Sequence, residues 1–569
     1  GACAGIPFII TITVNPTPNT LNLTNQTYCN GVSTTEIAFT NVVAGTTYTW
    51  TNSNTAIGLA ASGTGNIPVF TPTNNGTAPI IATISVIATA NGCSRVAETF
   101  TIIVNPSPVV TFSPTNQTIK TTNLKIPNPM LSILSQLSFV MALGLTAYLA
   151  TKRVLLIKKT IQLGRAEDRS DAPNERLKTM LRVAFGQKKM FDRPFVGLLH
   201  FIVYAGFLLI NVELIEIVID GLFGTHRVLA PLLGSFYPFI INTFEILASL
   251  VIVACIVFLF RRYLTKVPRL DTQKHRELDK WPALDATIIL VVEIILMSAF
   301  LTMNTADRLL QVQQIGHFAE VQTGDFLVSS WFTPLFENWS VAALQLYERA
   351  TWWVHILGIF AFAVYVTYSK HLHIILAFPN TYFANRANIG TMKNMPEVTH
   401  EVKIMLGLAE PTETPAEVGR FGAKDVQDLS WKNLMDAYSC TECGRCTSSC
   451  PANLTGKALS PRKIMMDTRD RLEDIQKGWI ANGPDYKDDK TLLGDYISQE
   501  EILACTTCNA CVEACPILIS PLDIITQLRR YQVMEESQAP QSWNMMFQNL
   551  ETNMAPWKFS SADRMNWTE

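Results

Sequence analysis

The 569-residue chain reads as multidomain: an N-terminal all-β sandwich, a five-helix transmembrane bundle and a C-terminal α-helical domain. Three observations predict this. Residues 1–119 hold only three charged side chains, Glu36, Arg95 and Glu98, among abundant Thr, Asn, Gly and Pro. Five apolar stretches of about 20 residues follow, each long enough to cross ~30 Å of hydrocarbon. Eight of the twelve cysteines then gather in two quartets near the end.

Composition sets the outer bounds. With 48% hydrophobic and 16% charged residues the chain is too apolar for a disordered protein and too long for a disulfide-stapled mini-protein. A net charge of -2 gives no reason to expect nucleic acid, so the surroundings it calls for are membrane lipid and protein.

In the first part, alternating runs such as Thr47-Tyr48-Thr49-Trp50 and Ile81 to Val86 predict short strands joined by turns. Cys3 and Val14-Asn15-Pro16 return 90 residues later as Cys93 and Val104-Asn105-Pro106, and Asn25-Gln26-Thr27 returns as Asn116-Gln117-Thr118. Residues 1–119 thus hold one whole repeat between two fragments. Within the whole repeat, Cys29 and Cys93 are candidates for a disulfide across the sandwich, with Cys3 left over. The repeat resembles the Ig-like or PKD-like modules of large bacterial adhesins. That implies a spacer or adhesive role and no catalysis. The broken repeat also marks this segment as foreign to the rest, with 120–129 as the junction and Met130 a natural start.

The predicted spans cover about 131–150, 195–218, 238–260, 283–303 and 351–369, within a membrane domain at 130–380. Lys and Arg number twelve in residues 151–194 and seven in 261–282, against one in 219–237 and two in 304–350. The positive loops are cytoplasmic. The N-terminus is therefore outside, and the C-terminal part lies inside a bacterial inner (cytoplasmic) membrane.

Histidines mark the bundle. His200 opens the second span at its cytoplasmic end. His355 and His373 lie eighteen residues apart on the fifth, which on one continuous helix is five turns, about 27 Å on a shared face. His371 is out of that register and is expected to point away. His200 and His373 come to the same cytoplasmic depth, where facing imidazoles can ligate a b-type haem axially; the alternative is interfacial histidines satisfied by water or carbonyls. Five spans with these histidines resemble the cytochrome b subunit of respiratory nitrate reductase and its heterodisulfide-reductase relatives. The resemblance implies a haem b at His200 and His373, and at most a second at His355. That family's second span carries another histidine ten residues on, where this chain has Ile210. Glu213, Glu216, Glu245 and Glu293 lie inside spans and are candidates either for proton exchange beside a quinone or for helix–helix hydrogen bonds.

The most specific signal is Cys440-x2-Cys443-x2-Cys446-x3-Cys450-Pro451, repeated as Cys505-x2-Cys508-x2-Cys511-x3-Cys515-Pro516. In two-cluster ferredoxins of this spacing the fourth cysteine ligates the other cluster. One [4Fe–4S] cluster is therefore assigned to Cys440, Cys443, Cys446 and Cys515, the other to Cys505, Cys508, Cys511 and Cys450. Zinc sites take ligands in two pairs and do not show this doubled run. Fifty-four residues separate the motifs, with helical segments at Pro461–Asp474 and Gln499–Ala504. Residues 426–535 thus resemble the helical ferredoxin domain of succinate dehydrogenase iron–sulfur subunits and heterodisulfide reductase, after a linker at 381–425. The tail, 536–569, resembles membrane-bound iron–sulfur oxidoreductases of that group. Those relatives carry paired Cys-Cys-Gly motifs that this chain lacks, which implies a separate cytoplasmic subunit bearing them.

The reading that unites these features is a membrane electron-transfer subunit of a quinone-linked oxidoreductase. Its cofactors are two [4Fe–4S] clusters and haem b, its substrate a quinone. By family resemblance, electron-transfer flavoprotein is one soluble partner. The rivals are a haem-free iron–sulfur quinone reductase and a non-catalytic membrane protein with an adhesin-like exterior.

Overall fold

The computed structural model describes residues 14–107, 129–319, 323–410, 420–558 and 560–569. The chain divides into two compact units, Gly1–Leu124 and Lys125–Glu569. Cys3, Asn116 to Thr118 and the junction at 120–128 lie outside the described residues.

In the first unit, β1 (Gln26–Cys29), β2 (Thr47–Asn52), β3 (Ser62–Thr64), β4 (Ile80–Ala90), β5 (Cys93–Ser94) and β6 (Glu98–Asn105) form one sheet. Its order is β1-β6-β4-β2-β3, with β5 returning along β4. The period-2 pattern turns Ala82, Ile84, Val86 and Ala88 of β4 and Phe100, Ile102 and Val104 of β6 to one buried face. That face is covered by Leu21, Phe39, Ile57, Leu59 and Ile67, which lie outside the strands. The layer opposite the sheet is thus built from irregular chain, pinned by an Ile37–Ile67 bridge.

This geometry overturns the Cys29–Cys93 disulfide. Cys29 pairs with Asn105, beside the Ile80 end of β4, while Cys93 pairs with Ala90 at its other end. At ~3.3 Å per residue the two ends are roughly 30 Å apart, and a disulfide needs Cα atoms within ~7 Å. The Asn91-Gly92 turn, with both φ values positive, holds Cys93 at its end. A non-reducing peptide map is expected to contain no Cys29–Cys93 linked peptide; recovering one would contradict this register.

The second unit begins with five long apolar helices. They are α1 (Pro129–Ile161), α2 (Pro194–Phe223), α3 (Tyr237–Tyr263), α4 (Trp281–Val312) and α5 (Val341–Val366), each with a stretch long and apolar enough to cross a membrane. Neighbours pack in sequence from α2 to α5, and α1 closes against α2 and α5. Small residues allow close approach: a Cβ on Gly206 would meet Val251, and one on Gly221 would meet Phe139.

The fifth span stops earlier than its hydropathy implies. Thr367 Oγ1 turns back to the Val364 carbonyl, the Ser369 side chain accepts the His371 N–H, and the Lys370 N–H goes to Asp285. A new helix, α6 (His373–Tyr382), starts after this turn. His355 and His373 therefore stand on different helices, and the five-turn register does not hold across the break.

The C-terminal domain consists of α7 (Trp431–Ser439), α8 (Pro461–Asn482), α9 (Pro521–Arg530) and α10 (Gln541–Asn553), with shorter helices around the cysteines. Ser430, Ser460 and Ser520 cap α7, α8 and α9, and proline opens the last two. The domain's core includes Leu434, Tyr438, Ile464, Leu472, Ile502, Ile525 and Leu528. It also takes in Ile157 from the end of α1 and Leu372 from the turn after α5. The interface is polar as well: Thr160 Oγ1 lies 3.0 Å from Tyr438 Oη, and Gln476 donates to both.

Candidate functional site

The two cysteine motifs fold as near copies. Each reaches its fourth cysteine through a short helix, Arg445–Ser448 in the first and Ala510–Glu513 in the second. Each takes positive φ at the same two places: Glu442 and Gly444 in the first, Thr507 and Asn509 in the second. Left-handed backbone there turns the chain so that successive thiols face inward.

The thiols are exchanged between motifs. Cys440, Cys443, Cys446 and Cys515 line one small cavity, with Arg462, Met465 and Pro516. Cys450, Cys505, Cys508 and Cys511 line a second, with Leu459, Leu522 and Ile525. Burial, reinforced by neighbouring thiols, pushes Cys440 up to about 11 and Cys511 and Cys515 up to about 12. Four soft sulfur donors converging on one small cavity suit a thiolate-ligated centre. Backbone N–H groups of Thr507 and Ile519 point at the Cys505 and Cys515 sulfurs at 3.4 and 3.3 Å. Cys508 is the exposed thiol of the eight, on the rim of the second cavity.

A larger cavity of about 390 Å³ lies beside the first thiol group. Its apolar wall includes Val203, Phe207, Phe258 and Ile289; its polar lining includes His200 of α2, Glu293 of α4, and His371 and His373. Thr441, Glu442, Cys443, Arg445, Pro516 and Ile517 line this cavity and the first thiol cavity alike, so one layer of residues separates them. Arg269 donates to the Cys443 carbonyl at 3.0 Å, and Arg445 to the Lys189 carbonyl at 2.9 Å.

His200 and His373 thus face one space, and so does His371, whose ring lies 5.4 Å from that of His373. The expectation that His371 points away is corrected: it sits in the turn before α6 and follows no α5 register. His373 Nδ1 lies 3.0 Å from the Lys370 carbonyl, which leaves Nε2 for the cavity. His200 Nδ1 is buried with no partner among the described residues. His355 is elsewhere, buried against Phe300 with Nδ1 3.0 Å from the Leu296 carbonyl, and Ile210 packs into the apolar bundle core.

The intramembrane carboxylates divide in two. Glu293 lines the large cavity. The other three belong to a buried network around Arg227, whose guanidinium reaches Glu213 at 3.1 Å, Asn304 at 2.7 Å and Asp307 at 3.0 Å. Glu216 accepts from Tyr237 and the Leu229 N–H, and Glu245 from Asn304, Ser329 and the Val328 N–H. Arg227 and Asp307 escape the sequence reading; the available signal is that Arg227 is the one Lys or Arg in residues 219–237.

Comparison with known proteins follows this geometry. Residues 439–519 match the family described as the 4Fe-4S dicluster domain. The chain is 29% identical over 458 residues to the probable iron-sulfur-binding oxidoreductase FadF of Bacillus subtilis, covering 74% of this chain and 60% of that one. It is 27% identical over 426 residues to the EtfAB:quinone oxidoreductase of Syntrophomonas wolfei, covering 70% of this chain and 55% of that one. Over 107 residues it is 35% identical to one subunit of the ferredoxin/F(420)H(2)-dependent CoB-CoM heterodisulfide reductase of Methanosarcina acetivorans, covering 19% of this chain and 53% of that one. The chain therefore spans somewhat over half the length of these relatives. No solved structure matches.

Proposed function

We infer the function of this chain from its 4Fe–4S domain and its relatedness to iron–sulfur oxidoreductases. We propose that it is the membrane electron-transfer subunit of a quinone-linked oxidoreductase, exchanging electrons between a cytoplasmic partner and the quinone pool through two [4Fe–4S] clusters and haem b. Cys440, Cys443, Cys446 and Cys515 hold one cluster; Cys505, Cys508, Cys511 and Cys450 hold the other. His200 and His373 hold the haem. The observation that carries this reading is the wall shared by the large histidine cavity and the first thiol cavity.

The bound centres supply one-electron chemistry. The chain's own residues supply position and surroundings. Lys370 fixes the His373 tautomer through its carbonyl, and α2 presents His200 with Nδ1 unpartnered, open to a second interaction. Both imidazoles line a cavity whose wall is mostly apolar. The exposed rim at Cys508 is where a cytoplasmic partner reaches the chain; a subunit with Cys-Cys-Gly motifs or an electron-transfer flavoprotein fits that role. The relative named for EtfAB and quinone supports this reading. The Lys and Arg distribution supports a bacterial inner membrane with the thiol domain in the cytoplasm. Residues 1–119 are a separate exterior module in this reading.

Pyridine haemochrome analysis of the purified chain, normalised to protein, tests it. One haem b per chain is expected, and His200→Ala should abolish it while non-haem iron and acid-labile sulfide stay unchanged. Two haems per chain would give His355 a site. None would favour the haem-free quinone reductase, for which Glu293 on the cavity wall is the supporting observation.

A further inference from the structure

The two motifs are near copies, and one position departs from the pattern with a charge. The third residue of each Cys-x2-Cys turn adopts positive φ, +56° at Glu442 and +54° at Thr507, where glycine or asparagine would be cheaper. The second motif places a threonine there. The first places a glutamate and buries it to 4% exposure. Glu442 Oε2 accepts from Lys370 Nζ at 2.5 Å and Oε1 from Arg469 at 2.6 Å. Lys370 in turn belongs to the turn that carries His371 and His373. Its N–H goes to Asp285 at 3.1 Å, its Nζ also reaches the Pro282 carbonyl at 2.6 Å, and its carbonyl lies against His373 Nδ1. Both Lys370 and Glu442 line the large cavity. A half-buried cation and a buried anion thus stand between the first thiol group and the histidines, where the second motif has an uncharged residue.

Resting on the cluster assignment above, we propose that Lys370 and Glu442 form a charge-setting pair for the cluster of Cys440, Cys443, Cys446 and Cys515. Lys370 favours the reduced cluster and Glu442 opposes it, while their contact fixes the cluster-bearing turn against the histidine-bearing turn. Reduction adds one electron to a thiolate-ligated centre, so a nearby cation stabilises the reduced form and a nearby anion the oxidised form. With side chains only 12% and 3% exposed, the two charges are screened by water much less than a surface pair. Lys370 and Glu442 are positioning residues: neither is placed to ligate iron.

The test is a redox titration, followed by electron paramagnetic resonance, of the full-length chain purified in detergent. Lys370→Met, Lys370→Arg and Glu442→Gln are compared with the parent, alongside iron and acid-labile sulfide per chain. Lys370→Met is expected to lower the midpoint potential of one cluster signal and Glu442→Gln to raise the same signal. Lys370→Arg should restore the parent value, and the second signal should stay put in all three. A salt bridge that only holds two turns together would move both variants in one direction or neither; either result overturns the proposal. So does a shift in the second signal. If Lys370→Met fails to assemble, the near-isosteric Glu442→Gln decides, since an unmoved or lowered potential there is equally fatal. A parent chain without cluster signals would instead overturn the cluster assignment itself, and this proposal with it.

Discussion

Cys515→Ser is expected to remove the cluster of the first motif, although Cys515 belongs to the second. Cys515 lines the cavity of Cys440, Cys443 and Cys446, and Cys450 lines the cavity of Cys505, Cys508 and Cys511. Each serine variant should bring non-haem iron from about eight to about four atoms per chain, as two four-iron centres require. The identity of the surviving signal is the decisive observation. The residual spectrum of Cys515→Ser should match that of Cys446→Ser and differ from that of Cys511→Ser. A match to Cys511→Ser would mean that each motif keeps its own fourth cysteine.

The second large effect is expected at Arg227. This residue is 6% exposed and pairs with Glu213 and Asp307, which are 2% and 1% exposed. Removing one partner of such a pair leaves an uncompensated charge inside the bundle, a cost of ~3–5 kcal/mol. Arg227→Met should therefore sharply lower the thermal midpoint of the detergent-purified chain. Glu213→Gln and Asp307→Asn, combined with Arg227→Met, should recover much of the loss by taking away the stranded carboxylates. An Arg227→Met chain as stable as its parent would show that water or neighbouring groups already neutralise them.

The regular patterns are readable because they depend on local chemistry. Five apolar runs, alternating strand residues and Ser-Pro helix starts each fix one element within its own window. The eight cysteines are equally accessible, because their spacing carries the cross-motif exchange. What escapes is set by single backbone turns. His355 and His373 have the spacing of one helix face, and only the Thr367–Leu372 turn separates them. The same turn brings His371 into the cavity. Cys29 and Cys93 have the spacing of a disulfide, yet the sheet order puts them at opposite ends of β4. Glu213, Glu216 and Glu245 read as candidates either for proton exchange or for helix–helix hydrogen bonds; the network they form fits the second, and what the sequence hides is their partners, Arg227, Tyr237 and Ser329. Glu442 and Lys370 are invisible as a pair, being 72 residues apart.

Ile157 and Leu372 lie in the core of the C-terminal domain, although both belong to the membrane bundle. The ribosome makes Ile157 and Leu372 well before it reaches Trp431 and the start of α7. In the membrane reading proposed above, two pieces of that core are therefore held at the bilayer before the domain emerges. Expressed alone, residues 420–569 would leave uncovered the patch that Ile157 and Leu372 normally close, and would recruit chaperones in their place.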